Sequence, residues 1–212
     1  MLQEVVQEIQ QGEPPNKRQK RAFAIIQAAT RVFSRDGYSS FSMRRIAREA
    51  GMQLKSLQRI FPSKQLLLNS MIDHVLYEDY YNRDLVPLIE VAENATPEER
   101  LMAFVDYLLQ ALREEFTTLF FPELWALAGR SEGTAKAMDG MYEKHIGSLA
   151  GMISQVNLGL SQEKAMQRAT MIAMSIEGLI LIVGYRRPSH DEYKGLYEEV
   201  KLRIRDIVLA PE

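Results

Sequence analysis

The sequence predicts an all-α protein of about nine helices, with an N-terminal three-helix helix-turn-helix domain and a C-terminal helical domain. Three observations support this fold class. Apolar residues recur at helical spacing along most of the chain, no segment alternates in the manner of a strand, and a glycine-containing corner joins two short helices within residues 41–64. We expect an N-terminal extension and basic arm over residues 1–20, the helix-turn-helix domain over residues 21–66 and the second domain over residues 67–212.

Composition places the chain among ordinary globular proteins. Of its 212 residues, 46% are hydrophobic, which is enough to bury a core, and the absence of cysteine excludes disulfides and thiolate metal sites. No N-terminal segment has the charged start and apolar centre of a secretory signal, so we expect a cytoplasmic protein. The most apolar run, residues 171–185, is shorter than the roughly 20 residues that a bilayer-spanning helix needs. We interpret it as a buried helix and expect no membrane partner.

Charge is divided unevenly along the chain. The net charge is −2, but residues 1–15 carry three acids and no base, residues 16–64 carry twelve bases and two acids, and residues 65–212 carry fourteen bases and twenty-three acids. A block of +10 within 49 residues suits a module that displaces counterions from nucleic-acid phosphates. A merely solvated basic face is the alternative, and the coincidence of this block with the helix pair favours phosphate binding.

The first firm helix is predicted from Arg21 to Arg35. Its apolar face is formed by residues at helical spacing, namely Ala22, Ile26, Ala29 and Phe33. Gly37 stands where a left-handed residue commonly ends a helix. The basic residues 17–21 form either an arm that enters a DNA minor groove or a solvated tail.

The helix pair within residues 41–64 has an inward and an outward side. Ser42 is the predicted N-cap of its first helix, and Gly51 supplies the backbone that turns between the helices. The inward stripe consists of apolar side chains at Met43, Ile46, Ala47, Ala50, Leu54, Leu57 and Phe61. Outward-facing polar side chains that could reach base edges or phosphates from a major groove are those of Gln53, Lys55, Ser56, Gln58 and Arg59, and the first four of these are the selected DNA contacts. On the first helix, Arg44 is the arginine that we expect at a phosphate.

The remaining helices follow from start and stop signals. A long helix is predicted to follow residues 62–63 and to reach the region before Pro87. Residues 96–99, Thr-Pro-Glu-Glu, combine a capping box with proline at the first helical position, so a helix runs from there through Leu112. Later helices are predicted at 122–129, where Pro122 and Glu123 open the helix, and at 134–156, 162–185 and 191–208.

The last two predicted helices, residues 162–185 and 191–208, carry more apolar surface than one subunit can cover. Ser189 and Glu192 match a capping box at the start of the second. We expect the two helices to pair with their two-fold mates as the four-helix interface of a homodimer.

Residues 25–72 resemble the N-terminal DNA-binding domain of the TetR family of one-component transcriptional regulators. The matching elements occur in order and without gaps: Ala29 and Phe33, the Asp36-Gly37-Tyr38 turn, Ile46-Ala47, Ala50-Gly51, and Phe61-Pro62-Ser63-Lys64 leading into Leu66-Leu67. The resemblance implies a homodimeric all-helical protein whose third helix enters the major groove and whose C-terminal domain binds a small molecule. It matches Lys64 to the family's phosphate-contacting lysine and Ser42 to a hydroxyl at the DNA backbone.

Two positions depart from the family's usual pattern. Gln58 and Ile60 stand where the family usually carries a tyrosine and a histidine. The tyrosine usually helps to grip phosphate, whereas Gln58 can hydrogen-bond either a phosphate or an adenine edge. The phosphate grip is therefore expected to depend more on Lys64 and Ser42.

The C-terminal domain offers candidate ligand-binding residues without a strong motif. Aromatic and thioether side chains suit an adaptable apolar pocket, and ordinary core packing is the alternative explanation of the same residues. The candidates are Tyr107, Trp125, Tyr142, Met174 and Glu177. A carboxylate at Glu177, within an apolar stretch, is costly unless it is paired. We therefore expect it to form an ion pair with either a cationic ligand or an arginine across the dimer.

The sequence carries no enzyme signature. It lacks a Gly-x-Ser-x-Gly elbow, a phosphate loop and a dinucleotide fingerprint, and its three histidines lack metal-site spacing, so we expect neither metal nor cofactor. We expect a repressor that binds a palindromic double-stranded DNA operator as a homodimer and that a small-molecule effector releases. The alternatives are a nucleoid-type DNA binder with little sequence preference and, less favoured, an all-helical metal-binding enzyme.

Overall fold

A computed structural model describes residues 16–76, 94–188 and 190–212, and every regular element within these ranges is helical. Its α-helices are α1 (Lys17–Asp36), α2 (Met43–Glu49), α3 (Leu54–Ile60), α4 (Lys64–His74), α5 (Pro97–Ala111), α6 (Glu115–Ala128), α7 (Glu132–Val156), α8 (Gln162–Gly178), α9 (Ile180–Val183) and α10 (Leu196–Leu209). Short 3₁₀ turns lie at Tyr38–Ser40 and Asp191–Tyr193. The all-α prediction is confirmed. The predicted number, nine, holds for these ranges when α8 and α9, separated only by Leu179, count as one helix.

The chain divides into two compact units, which are described separately. In the described residues, the first unit comprises 16–76 together with Leu119–Ala137, and the second comprises 94–118 together with the described part of 138–212. The first unit thus contains the helix-turn-helix region and most of α6. The second contains α5, α8, α9, α10 and most of α7.

Helix α1 begins at Lys17, four residues before the predicted start. The Asn16 side chain accepts hydrogen bonds from the N–H groups of Arg18 and Gln19, and the Gln19 side chain accepts one from the Asn16 N–H, which completes a capping box. Residues 17–21 are therefore helical and do not form an extended arm. The other residues of the predicted extension, 1–15, lie outside the described residues.

The core of the first unit is formed where α1 packs against α2, α3 and α4. Its fully buried side chains include Ile25, Ala29, Val32, Phe33, Ile46, Leu57, Phe61, Leu67, Leu68 and Met71. At the far end of this packing, Phe23 of α1 meets His74 of α4 with ring centroids 5.2 Å apart. The basic residues 17–21 thus lie toward the C-terminal end of α4, remote from Lys64 at its start, which weighs against a minor-groove arm built from them.

Two predicted helix starts in the second half have different outcomes. The start at Thr96 is confirmed, because its hydroxyl accepts the Glu99 N–H at 3.2 Å and the Glu99 carboxylate accepts the Thr96 N–H at 2.8 Å. The start at Pro122 is wrong, because Pro122 lies inside α6, which begins at Glu115. A proline removes one backbone donor, and burial of the neighbouring Phe120, Phe121 and Leu124 favours a continuous helix.

The end of the predicted long helix after residues 62–63 lies outside the described residues. Ser63 caps its start by accepting the Leu66 N–H at 3.1 Å. The last helix starts later than predicted, because Gly195 adopts a left-handed conformation (φ +78°) and α10 begins at Leu196 rather than at Asp191. The capping box predicted at Ser189 also lies outside the described residues.

The apolar helix predicted at residues 162–185 is only partly buried. Residues 162–183 are long and apolar enough, by length and composition alone, to cross a membrane, and 39% of the apolar window is buried. Such values also fit a core helix of a soluble protein. In its middle, the Arg168 side chain is 7% exposed and donates to backbone carbonyls at the end of α10, an arrangement that fits packing within a protein. Several large apolar side chains of α8 and α9 remain exposed in the single chain, so this helix is not buried by its own subunit alone.

Candidate nucleic-acid interface

The corner between α2 and α3 has the backbone geometry of a glycine-terminated helix. Gly51 has φ +64°, and its N–H donates to the Arg48 carbonyl at 3.1 Å while the Met52 N–H donates to the Ala47 carbonyl at 2.9 Å. This is the paired-bond pattern of a Schellman motif. At the start of α2, the Ser42 hydroxyl accepts the Arg45 N–H at 3.3 Å, so the predicted cap and corner are both confirmed.

Helix α3 presents one polar face to solvent. Leu57 and Phe61 are buried against the core, and the helical repeat directs Lys55, Ser56 and Arg59 away from them. Gln53, which precedes the helix, and Gln58 are also exposed. All four residues predicted to meet DNA from this helix are thus accessible. Arg59, which the sequence also placed on the outward side, is exposed on the same face.

The arginines of α2 divide into two groups. Arg45 pairs with Asp36 of α1 at 2.6 Å, whereas Arg44 and Arg48 are exposed and form no ion pair with the described residues. The hydrogen bond from Arg45 lowers the pKa of the Asp36 carboxyl below its ordinary value. This orientation leaves Arg44, the predicted phosphate contact, accessible and adds Arg48 to it.

A second ion-pair group ties α2 to α1. Glu49 accepts from Arg31 at 3.0 Å and from Arg35 at 3.3 Å. The Arg31 hydrogen bond is the main cause of the lowered pKa of the Glu49 carboxyl. Arg31 and Arg35, though part of the +10 block, therefore hold α1 and α2 together through Glu49.

Lys64 occupies the first position of α4, close to the turn that follows α1. Its Nζ lies 4.1 Å from the centroid of the Tyr38 ring and 5.8 Å from that of Phe41. A cation over an aromatic face is attracted by the ring quadrupole. The ammonium group is thus held at the N-terminus of α4, where the predicted phosphate contact requires it.

In the second unit, two predicted ligand-binding residues come together. The Tyr142 hydroxyl of α7 donates to Glu177 Oε2 of α8 at 2.9 Å. Burial raises the pKa of the Glu177 carboxyl, and the Tyr142 hydrogen bond opposes that shift. The pair therefore places a titratable, half-buried carboxylate beside an aromatic side chain.

The other predicted ligand-binding residues are placed differently. Tyr107 on α5 is half-buried, and Trp125, which belongs to the first unit, is half-buried near Phe121 with ring centroids 6.3 Å apart. Met174 is 67% exposed on the outward face of α8. Exposure of that size suits an intermolecular surface better than an enclosed pocket.

His145 is a half-buried polar residue of the second unit that was not among the predicted ligand-binding residues. It lies one helical turn after Tyr142 on α7, and its ring centroid is 6.3 Å from that of Phe104. Burial lowers the pKa of its imidazole. Its position one helical turn from Tyr142 could have indicated a place near the candidate site. The sequence does not show, however, how far a single histidine on a helix is buried. Within the described residues, no group of three or more His, Cys, Asp or Glu side chains is arranged to hold a metal ion.

Comparisons with known proteins agree with this geometry. Residues 25–71 match the family model for bacterial regulatory proteins of the tetR family. An uncharacterised helix-turn-helix-type transcriptional regulator in the dhlA 5′ region of Xanthobacter autotrophicus is 28% identical over 174 residues, which cover 78% of this chain and 82% of the relative.

Solved structures share the fold across nearly the whole chain. A regulator from Saccharomonospora viridis in complex with choline has a TM-score of 0.69 and 20% identity, covering 89% of this chain and 95% of its own. A transcriptional regulator from Rhodococcus sp. Rha1 has a TM-score of 0.68 and 20% identity, covering 88% and 95%. The helix-turn-helix geometry and the family model together show that residues 25–71 resemble the DNA-binding domain of tetR-family regulators, and the Xanthobacter relative, a helix-turn-helix-type transcriptional regulator, extends the likeness over 78% of the chain.

Proposed function

We propose that this regulator binds a palindromic DNA operator as a homodimer, represses transcription from it, and is released by a small-molecule effector. The observation that carries the proposal is the exposed polar and cationic face of α3, in a chain whose positive charge is concentrated in residues 16–64. Such a face reads base edges in a major groove, while nearby cations contact phosphates. The assigned contacts are Ser42, Arg44, Gln53, Lys55, Ser56, Gln58 and Lys64.

An exposed apolar face on α8, α9 and α10 supports the homodimer. Its large side chains and their exposed fractions are Met171 (52%), Met174 (67%), Leu181 (60%), Ile182 (46%), Leu202 (54%) and Leu209 (45%). Large apolar side chains exposed on neighbouring helices are typical of an interface, and a two-fold partner with the same side chains would cover them. We assign the predicted four-helix interface of the homodimer to this face.

In such a dimer, the two helix-turn-helix domains are related by the two-fold axis. They would contact DNA half-sites separated by about one turn of the DNA helix, roughly 34–36 Å, or by a multiple of that distance. Occupation of such a site excludes polymerase, and this makes repression the expected outcome. An effector that binds more tightly to a dimer whose helix-turn-helix domains are spaced differently lowers the affinity for the operator. The size of the decrease is set by the difference in the effector's binding free energy between the two conformations. A coupling of about 1–3 kcal/mol corresponds to a change of roughly 5- to 150-fold.

The effector site is assigned to the second unit around Tyr142 and Glu177. A partly buried carboxylate beside an aromatic ring favours a ligand that carries a positively charged amine. The Saccharomonospora regulator of the same fold was solved in complex with choline, which is a cation. Tyr107, also of the second unit, remains a proposed contributor, and Met174 is assigned to the dimer face.

Selection of bound sequences from random duplexes tests the proposal. The selected duplex is titrated over salt and against a panel of small molecules that includes quaternary amines. We expect an enriched palindrome, a steep loss of affinity with salt, and release by at least one cationic compound. Binding without an enriched palindrome would favour the nucleoid-type alternative, and absence of binding to any duplex would contradict the DNA-binding assignment.

Sedimentation of the free protein tests the dimer. A 24.3 kDa chain should sediment at twice that mass, and Met174→Asp should shift the equilibrium toward monomer because it places a charge in an apolar interface. Leu158→Asp is the matched control, because Leu158 is 88% exposed in the segment after α7 and outside this face. Equal behaviour of the two variants would contradict the proposed interface.

A further inference from the structure

A carboxylate of α6 holds the turn that follows α1. Glu123 Oε1 accepts the backbone N–H of Tyr38 at 2.5 Å. The same oxygen lies 3.2 Å from the position that a Cβ would occupy at Gly37, whose φ is +76°. The turn therefore needs glycine at residue 37, both for its backbone conformation and for the close approach of Glu123.

Aromatic packing fixes the same turn from its buried side. Phe120 of α6 is fully buried, with its ring centroid 5.2 Å from that of Phe33. Phe33 in turn meets Phe41 edge-on at 6.0 Å. Glu123 thus contacts the start of the segment from Gly37 to Phe41 directly, and Phe120 reaches its end through Phe33.

This segment also sets the position of Lys64. The rings of Tyr38 and Phe41 are stacked at 6.2 Å, and the Lys64 Nζ lies over both of them. A continuous set of contacts therefore leads from the Glu123 carboxylate, through the Tyr38 backbone and ring, to the Lys64 ammonium.

We propose that Glu123 is a positioning residue for the DNA phosphate contact of Lys64. The inference rests on the proposed function, because it requires that Lys64 meets a phosphate. Glu123 acts by fixing the Tyr38 backbone, so that the Tyr38 ring holds the ammonium at the N-terminus of α4. A preorganised cation loses less conformational freedom when it binds a phosphate.

Simple electrostatics predicts the opposite effect of removing Glu123. A carboxylate near a phosphate-binding surface repels DNA, so its loss should tighten binding if charge alone mattered. The positioning role requires weaker binding. The sign of the change therefore distinguishes the two explanations.

The test measures affinity and its salt dependence for the full-length protein on the duplex selected by the wild type and on a random-sequence duplex. Glu123→Ala should lower affinity for both by roughly tenfold and reduce the salt slope by about one per subunit, as Lys64→Ala does. Glu123→Gln retains an acceptor for the Tyr38 N–H and should stay within about threefold of the wild type. Glu115→Ala, at the exposed start of the same helix, is the matched control for loss of charge.

A double-mutant cycle identifies the route. In the Lys64→Ala background, Glu123→Ala should change affinity by less than about twofold, because the contact that it positions is already absent. Fully additive effects would overturn the inference, as would binding by Glu123→Ala that equals or exceeds that of the wild type. A wild type that binds no duplex would overturn the proposed function instead.

A second pair of variants covers the case in which Glu123→Ala does not fold. Tyr38→Leu removes the ring beneath Lys64, and Tyr38→Phe keeps it. The leucine variant should lose about one unit of salt slope per subunit, and the phenylalanine variant should keep the wild-type slope. Equal slopes for these two variants would overturn the inference.

Discussion

Arg168 offers the clearest test of how the second unit holds its last helix. Its guanidinium is 7% exposed and donates to the carbonyls of Ala210 at 2.7 Å, Pro211 at 2.8 Å and Val208 at 3.3 Å. The Asn157 amide donates to Val208 and Ala210 at 3.0 Å each. The last carbonyls of a helix lack intrahelical donors and carry the negative end of its dipole, so a buried cation there both satisfies and neutralises them.

Arg168→Met keeps most of the side-chain volume and removes the charge and its donors. Hydrogen bonds to a charged group contribute about 1.5–3 kcal/mol each. Two of the three carbonyls keep Asn157 as a donor, and the variant no longer buries a guanidinium, so we expect a net loss of about 2 kcal/mol. For a chain of this length that loss lowers Tm by roughly 4–8 °C.

Thermal unfolding followed by circular dichroism at one fixed protein concentration measures this loss. Arg203→Met is the matched control, because Arg203 lies on the exposed side of α10 and pairs only with Glu199 and Asp206 there. We expect less than about 0.5 kcal/mol for the control. Combining Arg168→Met with Asn157→Ala should cost more than the sum of the single changes, since the two residues share acceptors. Equal Tm values for the Arg168 and Arg203 variants would refute the buried-cap argument.

The remaining predictions concern the backbone near α9 and the buried carboxylate. Gly184→Ala should destabilise the protein by about 2 kcal/mol or more, because a Cβ there would lie 2.5 Å from the Ile180 carbonyl oxygen and 2.9 Å from Thr118 Oγ1. Gly151→Ala on α7, with no neighbour within 4 Å of the added carbon, should be neutral or stabilising by up to about 1 kcal/mol; the same loss of Tm in both variants would contradict the first expectation. Burial raises the pKa of Glu177 above its unfolded value of 4.5, so its stabilising contribution is complete below that value and is lost as pH rises through the folded-state pKa. The Tm of Glu177→Gln minus that of the wild type should therefore increase over that range of rising pH, and a pH-independent difference would contradict the assigned environment.

Local signals predicted most of the fold. The caps at Ser42 and Thr96 and the corner at Gly51 depend on a few neighbouring residues whose chemistry is specific to those positions. The predicted starts of two helices, α1 and α6, were wrong because the local signals there are weaker than a capping box or a glycine corner. Asn16 caps α1 earlier than the basic run suggests, and α6 continues through Pro122, although a proline is a common local signal for a helix start.

The candidate DNA surface was predictable only in part, because local spacing fixes which side of a helix a residue lies on but not its distant partners. Helical spacing indicated which side chains of α3 face outward. It could not show that Asp36 forms an ion pair with Arg45, or that Glu49 forms ion pairs with Arg31 and Arg35. Those pairs join residues distant in the chain. The bond from Glu123 to Tyr38 spans 85 positions, and no local pattern contains it.

The central claim is that α2 and α3 form a helix-turn-helix that recognises DNA sequence, and that different residues contact the bases and the phosphates. Selection from random duplexes, repeated with Gln53→Ala and Lys64→Ala, tests it most directly. Gln53→Ala should change the preferred base at one or more positions of the half-site, and Lys64→Ala should keep the preferred sequence while weakening all duplexes about equally and lowering the salt slope. The opposite pattern, with preference altered by Lys64→Ala and unchanged by Gln53→Ala, would contradict the account.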